Sequence, residues 1–203
     1  MNDSTIRRVQ QRDLPALLDI YNHYVLTTPI TFDIEPKALE ERQGWLDAFA
    51  STGRYQCFVA ERDGQAIGWA CSGKYKERAA YATSVELSVY LAPTARGLGL
   101  GRRLYQTLID VLQDEDIHRM YSAIALPNPI SVALHMAMGF RLVGTQTEVG
   151  WKLGRYWDVA LYERSLASPS SIREEAAVES ATVQSSGDGL RSLATGLTPS
   201  ALP

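Results

Sequence analysis

The tightest constraint on this chain is one passage in which a strand-like segment, a glycine loop and a helix-like segment follow without a break. Val85, Leu87, Val89 and Leu91 alternate with Glu86, Ser88 and Tyr90. That is the period of a half-buried strand, so the second set shares one face. Pro93 stops the run. From Arg102 the apolar positions Leu104, Tyr105, Leu108, Ile109, Val111 and Leu112 take the spacing of a helix packed on a sheet. Between the two lie Arg96, Gly97, Leu98, Gly99, Leu100 and Gly101. A glycine loop at a helix start leaves backbone N–H groups without intrahelical partners, and these bind anionic phosphate oxygens. Glu86 thus stands as a candidate general base a few residues from a candidate phosphate cradle.

Two common phosphate loops are excluded. A nucleoside-triphosphate P-loop ends in Lys and Ser or Thr, whereas Arg102 and Arg103 follow Gly101 here. The dinucleotide fingerprint needs its last glycine where Arg102 stands. With 203 residues and 45% apolar content, the chain suffices for one core. A formal charge of -3 without a long basic run argues against nucleic acid or a membrane as partner. Cys57 and Cys71 sit inside apolar runs and read as buried thiols of a reducing compartment. The polar N-terminus and the lack of any 18-residue apolar run make the cytoplasm the default. His23, His118 and His135 show no metal-ligand spacing, so no metal is expected.

The remaining pattern predicts strands over 5–9, 56–61, 66–71, 120–126, 141–144 and 159–163, besides the one carrying Glu86. Helices are expected after Asp13 as cap, over 36–49, and over 129–138 ending at Gly139. Asp63 and Gly64 read as a hairpin turn. The expected organisation is a domain over 1–166 and a flexible tail over 167–203, where Ser, Ala, Thr, Gly and Pro dominate without a period.

The Arg-x-x-Gly-x-Gly spacing of Arg96, Gly99 and Gly101 resembles the pyrophosphate loop of the GNAT superfamily of N-acetyltransferases. The resemblance narrows to the phosphinothricin and methionine sulfoximine acetyltransferases. It is carried by Tyr21, Asn22, Thr31, Phe32, Arg42, Trp45, Trp69, Arg78, Tyr81, Glu86, Ser88, Tyr90, Asn128, Ser131, His135, Phe140, Gly150, Lys152, Trp157 and Asp158, in order along the chain. It implies an α/β (α+β) fold with a mixed, mostly antiparallel sheet flanked by helices. It also implies acetyl-CoA as donor, a small amino-acid-like acceptor and a homodimer. The implied reaction moves the acetyl group directly to an α-amine; no cysteine stands where a covalent acetyl-enzyme would need one.

On this resemblance Glu86 is the base, and its apolar strand neighbours would raise its pKa toward a useful range. The amides of Leu87, Ser88 and Val89 are assigned to the pantetheine arm. Those of Arg96, Gly97, Leu98, Gly99, Leu100 and Gly101 are assigned to the pyrophosphate. Asn128 and Ser131 are placed on the coenzyme arm, or else simply cap a helix. His135 stands where many relatives carry the tyrosine that protonates the thiolate. The resemblance puts acceptor contacts at Lys74, Tyr75, Lys76, Ser84, Val85 and Glu86. Arg78 suits a two-pronged grip on a carboxylate, with Tyr81 helping, and Phe32 suits a pocket wall. Many relatives have Trp or Pro in the first of these loops. Lys74 and Lys76 therefore suggest an acceptor with extra negative charge, or a solvated turn. Arg102 and Arg103 either add charge to the cradle or are solvated. Two rival readings stand: transfer to protein or peptide amines, and a non-catalytic CoA-binding sensor.

Overall fold

The structure is a computed structural model that describes residues 4–166; the segment 167–203, expected to be a flexible tail, lies outside the described residues. The elements run β1 (Thr5–Arg8), α1 (Leu14–Thr27), α2 (Leu39–Leu46), β2 (Cys57–Arg62), β3 (Gln65–Lys74), β4 (Ser84–Leu91), α3 (Leu100–Leu112), β5 (Arg119–Ala125), α4 (Pro129–Ala137), β6 (Arg141–Lys152) and β7 (Arg155–Ser165). The strands form one sheet in the order β1-β2-β3-β4-β5-β7-β6. All neighbours are antiparallel except β4 and β5, which run parallel. This is the mixed, mostly antiparallel architecture that the family resemblance implies. Among the described residues no helix is long and apolar enough to cross a membrane.

Local chemistry accounts for most boundaries. Asp63 (φ 51) and Gly64 (φ 78) make the two-residue turn between β2 and β3, whose twist needs positive φ at both positions. The Asn128 side chain accepts from Ser131 N at 3.1 Å and starts α4, with Pro129 in the first turn. Asp13 departs from expectation. Its carboxylate accepts from Gln10 N at 2.8 Å and pairs with Arg7 at 2.7 Å, and it gives α1 no side-chain cap. Helix α2 is shorter than the 36–49 expected. The last two strands are much longer than expected, 12 and 11 residues. Strand β6 is exposed along most of its length, so its residues carry no burial alternation to read.

The two faces of the sheet bury different sets. Strand β2 sends Phe58 and Ala60 into the core under α3, with Val85, Leu87, Leu104, Leu108 and Met120. It sends Cys57 and Val59 to the opposite side, where α1 covers Trp69 and Cys71. Both cysteines are buried free thiols. Burial pushes the Cys71 thiol up to about 12, which leaves it protonated at neutral pH.

The feature that builds the site is the parting of β4 from β5. Only Ser84, Val85 and Glu86 pair with β5, opposite Arg119, Met120 and Tyr121. Beyond Glu86 the strands diverge, and a small cavity of about 50 Å³ opens between Leu87–Tyr90 on one side and Ser122–Ala125 on the other.

Candidate active site

The glycine loop forms a cradle at the start of α3. Gly97 and Gly99 sit at φ 76 and φ 71, backbone that other L residues adopt only with strain. A Cβ at either position would meet nothing within 4 Å, so the space in front of the loop is open. No side chain caps α3. The first bond across its opening turn runs from Arg103 N to Gly99 O, so the amides just before Arg103 have no intrahelical acceptor. Their positive end faces a cavity of about 170 Å³ lined by Tyr24, Arg96, Gly101, Asn128, Ser131 and Leu134, among others. Gly101 lies 3.4 Å, measured from an added Cβ, from Leu134 of α4. This geometry suits a diphosphate with an apolar arm beside it. Leu98 is half exposed on the loop, whereas the Leu100 side chain is buried in the core, so only its amide is available.

The basic residues of the passage have separate fates. Arg96 donates from Nη2 to the Tyr24 hydroxyl at 3.1 Å, and that hydroxyl donates to Leu91 O at 2.5 Å. Arg103 donates to the Ser4 carbonyl at 2.8 Å and ties α3 to the N-terminal edge. Arg102 is exposed. Of the two arginines after Gly101, Arg103 is thus committed to a structural contact.

Alternation along the ladders fixes which peptide groups face the β4/β5 gap. Ser72 N donates to Gln56 O at 3.0 Å, so Cys57 and Cys71 form a non-hydrogen-bonded pair and the peptide groups of Cys71 point to β4. Ser88, opposite Cys71, therefore turns its amide to β3, and Leu87 and Val89 turn theirs into the gap. Consistent with this, the Leu87 carbonyl accepts from Ser122 Oγ at 3.0 Å across the gap. Of the three amides assigned to a ligand arm, two face the gap and that of Ser88 does not.

His135 sits at the far side of this gap, 3% exposed. Its Nδ1 lies 2.7 Å from the Ser131 carbonyl, which accepts only, so Nδ1 carries the proton. Nε2 then accepts from the Tyr105 hydroxyl at 3.0 Å. Burial lowers the His135 pKa and keeps the ring neutral, while burial raises that of Tyr105. The Tyr105 hydroxyl also lies beside Ser122. Tyr105, read from the sequence as a core position, is thus a polar member of the gap. Its helical spacing gave no sign of this, because the partner arrives from another helix.

Glu86 lies on the other face. It is half-buried, and burial alone raises its pKa above the ordinary 4.5. Its neighbour on β3 is Gly73, where a Cβ would meet nothing within 4 Å, so the carboxylate opens onto free space. That space is a cavity of about 530 Å³ walled by Trp45, Phe49, Tyr55, Cys71 and Ser88, with Lys74 at its edge. A carboxylate with no charged partner in an apolar cavity holds a proton more readily than an exposed one and has the chemistry of a general base.

The other expected acceptor residues fall into three groups. Ser84 shares the Glu86 face, but Val85 is fully buried on the opposite face against α3, so its side chain cannot meet a ligand there. Lys74 pairs with Glu77 at 3.0 Å. Tyr75 stacks on Tyr121 with ring centroids 4.2 Å apart and meets Tyr81 edge-on, and the Lys76 ammonium lies 4.9 and 5.1 Å from the Tyr75 and Tyr81 rings. Arg78 is exposed on this loop. Phe32 packs directly on Gly150 of β6, and its loop is held by Lys152 Nζ donating to Thr31 O at 2.7 Å. Among the described residues no group of three His, Cys, Asp or Glu side chains could hold a metal ion.

Comparison with known proteins identifies the family. Residues 6–161 match the family model described as an acetyltransferase (GNAT) domain. A phosphinothricin N-acetyltransferase of Streptomyces coelicolor is 53% identical over 163 residues, covering 79% of this chain and 95% of that protein. An L-methionine sulfoximine/L-methionine sulfone acetyltransferase of Pseudomonas paraeruginosa is 34% identical over 80% of this chain and 95% of its own length. The crystal structure of a GNAT superfamily phosphinothricin acetyltransferase from Sinorhizobium meliloti, in complex with AcCoA, superimposes with a TM-score of 0.77. It is 33% identical and covers 82% of this chain and 90% of that one.

Proposed function

From the premise that the chain belongs to the GNAT acetyltransferase family, we propose that it moves acetyl from acetyl-CoA directly to the α-amine of a small amino acid or analogue. Phosphinothricin, methionine sulfoximine and methionine sulfone, acceptors named for its relatives, are the leading acceptor types. One observation carries the reading. The anion cradle of α3 and the unpaired carboxylate of Glu86 both open onto β4, the strand that parts from its neighbour immediately after Glu86.

In this mechanism acetyl-CoA is the donor substrate. The amides ahead of Arg103 hold its diphosphate, and Arg96, braced by Tyr24, adds charge beside them. The Leu87 and Val89 amides, facing the gap, pair with the arm and polarise the thioester carbonyl. The acceptor enters from the Glu86 face between Phe32 and the loop carrying Lys74, Tyr75, Lys76, Arg78 and Tyr81. Glu86 takes the ammonium proton, directly or through a water, and frees the lone pair that attacks the carbonyl carbon. As the C–N bond forms the C–S bond breaks; the acylated nitrogen gives up its remaining extra proton and the departing sulfur takes one up. His135 has no proton to pass to it in this arrangement, since its Nδ1–H is bound to the Ser131 carbonyl and its Nε2 accepts from the Tyr105 hydroxyl, so its part is to hold that hydroxyl at the gap. Asn128 and Ser131 border the arm while capping α4.

A cytoplasmic homodimer completes the proposal. The buried free thiols suit a reducing compartment. Leu142, Val143, Val149, Trp151, Leu153 and Tyr156 leave an apolar exposed surface on β6, β7 and their turn that a second copy would cover. The decisive experiment is a free-thiol release assay with acetyl-CoA across amino-acid analogues and a peptide panel. Turnover with methionine sulfone or phosphinothricin and none with peptides is expected. Peptide turnover alone would replace the acceptor class, and binding of acetyl-CoA with no turnover of any amine would leave the sensor reading.

A further inference from the structure

Arg42 lies on the acceptor side and carries a charge that the mechanism above does not use. It projects from α2, is only 7% exposed, and is wrapped in rings. Its guanidinium carbon lies 3.5 Å from the Trp45 ring centroid, 4.5 Å from that of Tyr21 and 5.4 Å from that of Trp69. Its Nε has no hydrogen-bond partner. Among the described residues no acidic side chain makes an ion pair with it. The polar groups acting on it most are Cys71, Tyr21 and Tyr90, neutral at ordinary pH, so burial prevails and lowers its pKa. A guanidinium nevertheless keeps its proton. A buried cation without a counter-ion is a standing cost to the fold, even where ring faces offset part of it.

Two neighbours connect this charge to the acceptor cavity. Trp45, on which the guanidinium stacks, and Cys71, the polar group that acts on it most, both wall the space that holds Glu86. Cys71 in turn feels both Arg42 and Glu86. Apart from Glu86 and Ser88, the cavity wall is largely apolar and aromatic, and its exposed cation, Lys74, is already paired with Glu77. Field from a buried charge is weakly screened in such surroundings and reaches the cavity at its Trp45 and Cys71 wall, whereas the Glu86 carboxylate itself responds to burial alone. Arg78, which the sequence offered for a carboxylate, is by contrast exposed to solvent on its loop.

We propose that Arg42 is a specificity-determining residue: its uncompensated positive charge behind the Trp45 and Cys71 wall selects acceptors that bring a carboxylate into the Glu86 cavity. The inference rests on the acetyl-transfer reading for its acceptor class, but not for its test. The acceptor's carboxylate supplies the counter-charge that the fold leaves out. A neutral amine of the same shape finds the same walls without that attraction.

The test compares methionine sulfone with its carboxamide, using wild type, Arg42→Met and Arg42→Lys. Arg42→Met keeps the length of the chain and removes the charge, whereas Arg42→Lys keeps the charge. Binding is read by quenching of tryptophan fluorescence, and turnover by thiol release at saturating acetyl-CoA. Wild type should prefer the carboxylate form by about tenfold or more, the effect of one weakly screened charge pair. Arg42→Met should bring that ratio close to one through the acceptor KM, with the acetyl-CoA KM unchanged, and Arg42→Lys should keep most of it. The melting temperature of Arg42→Met should match or exceed that of wild type, since an unpaired buried charge has gone. A ratio unchanged in Arg42→Met overturns the proposal, as does an equal loss for both acceptors together with a lower melting temperature, which would assign Arg42 to wall packing. Wild type that binds with the expected ratio but turns nothing over would sink the transfer reading and leave the charge selection standing.

Discussion

Replacing Gly150 by alanine probes whether Phe32 is a fixed wall of the acceptor site. A Cβ at Gly150 would lie 2.4, 2.5 and 2.8 Å from three carbons of the Phe32 ring. Ordinary contact begins at 3.4 Å, so the ring must retreat by about 1 Å. The backbone beneath it cannot follow easily. Thr31 O accepts from Lys152 Nζ at 2.7 Å, and the Tyr21 hydroxyl bonds Thr31 Oγ1 at 3.0 Å and Asp33 Oδ2 at 2.7 Å. The ring therefore turns about its own torsions, at a cost of about 0.5–1.5 kcal/mol for leaving its rotamer, within the 1–3 kcal/mol typical of overpacking. Phe32 is 38% exposed, which gives the ring somewhere to go and holds the cost near the lower end. Against this, alanine in a strand gains about 0.5–1 kcal/mol over glycine through lost unfolded-state freedom. The two nearly cancel in stability, and the melting temperature should fall by no more than about 4 °C.

Catalysis separates them, because strand propensity does nothing for the acceptor. The acceptor KM should rise about tenfold as the wall moves, for a loss of about 1.4 kcal/mol, while the acetyl-CoA KM stays within about twofold. The assay is steady-state thiol release for Gly150→Ala, Phe32→Ala and the double variant. In the Phe32→Ala background the added methyl meets no ring, so Gly150→Ala should have no further effect on the acceptor KM; the coupling is the whole of the single-variant effect. Additive effects, or an unchanged acceptor KM in Gly150→Ala, would refute the placement of Phe32 against β6 and its role as a wall.

Two further outcomes follow from the same geometry. Glu86→Gln should lower kcat by about 10²–10⁴, the usual contribution of a general base. Because burial raises the Glu86 pKa above 4.5 and the working form is the carboxylate, wild-type kcat/KM should fall as pH drops through that raised value. The limb should vanish in the variant; a limb that survives there belongs to another group. The sign for stability is opposite to that for activity. A carboxyl with a raised folded pKa favours the fold below its unfolded value and loses that contribution as pH rises through the folded one, so Glu86→Gln should be no less stable than wild type at neutral pH. Gly99→Val places a β-branched residue at φ 71 in the mouth of the cradle. Calorimetric titration should show acetyl-CoA binding weakened by at least about tenfold, as expected from local strain of 1–2 kcal/mol and lost close approach; unchanged affinity would remove the cradle from the site.

What could be read from the chain in advance were the features whose cause is local. The period-2 run of β4, the glycines ahead of α3 and the Asp63, Gly64 turn each specify their own backbone, because alternation, positive φ and free helix-start amides need no distant partner. Glu86 was legible for the same reason: a lone carboxylate on a half-apolar strand can face only one way. Asn128 was equally legible as a cap, and it caps α4. The length of β6 and β7 was not, since most of β6 is exposed and its strand character comes from pairing with β7. Nor was the division of labour among the arginines. Arg103 reads like Arg102 until Ser4 arrives beside it, and Arg42 looks like any polar residue of a short helix until Tyr21, Trp45 and Trp69 close around it from α1, α2 and β3. Sequence by itself determined where free helix-start amides and a lone strand carboxylate stand, because both follow from backbone geometry within a few residues. Only the tertiary structure decided which charges are left unpaired, which amides face the gap and what His135 touches, because each of those depends on groups brought together from distant parts of the chain.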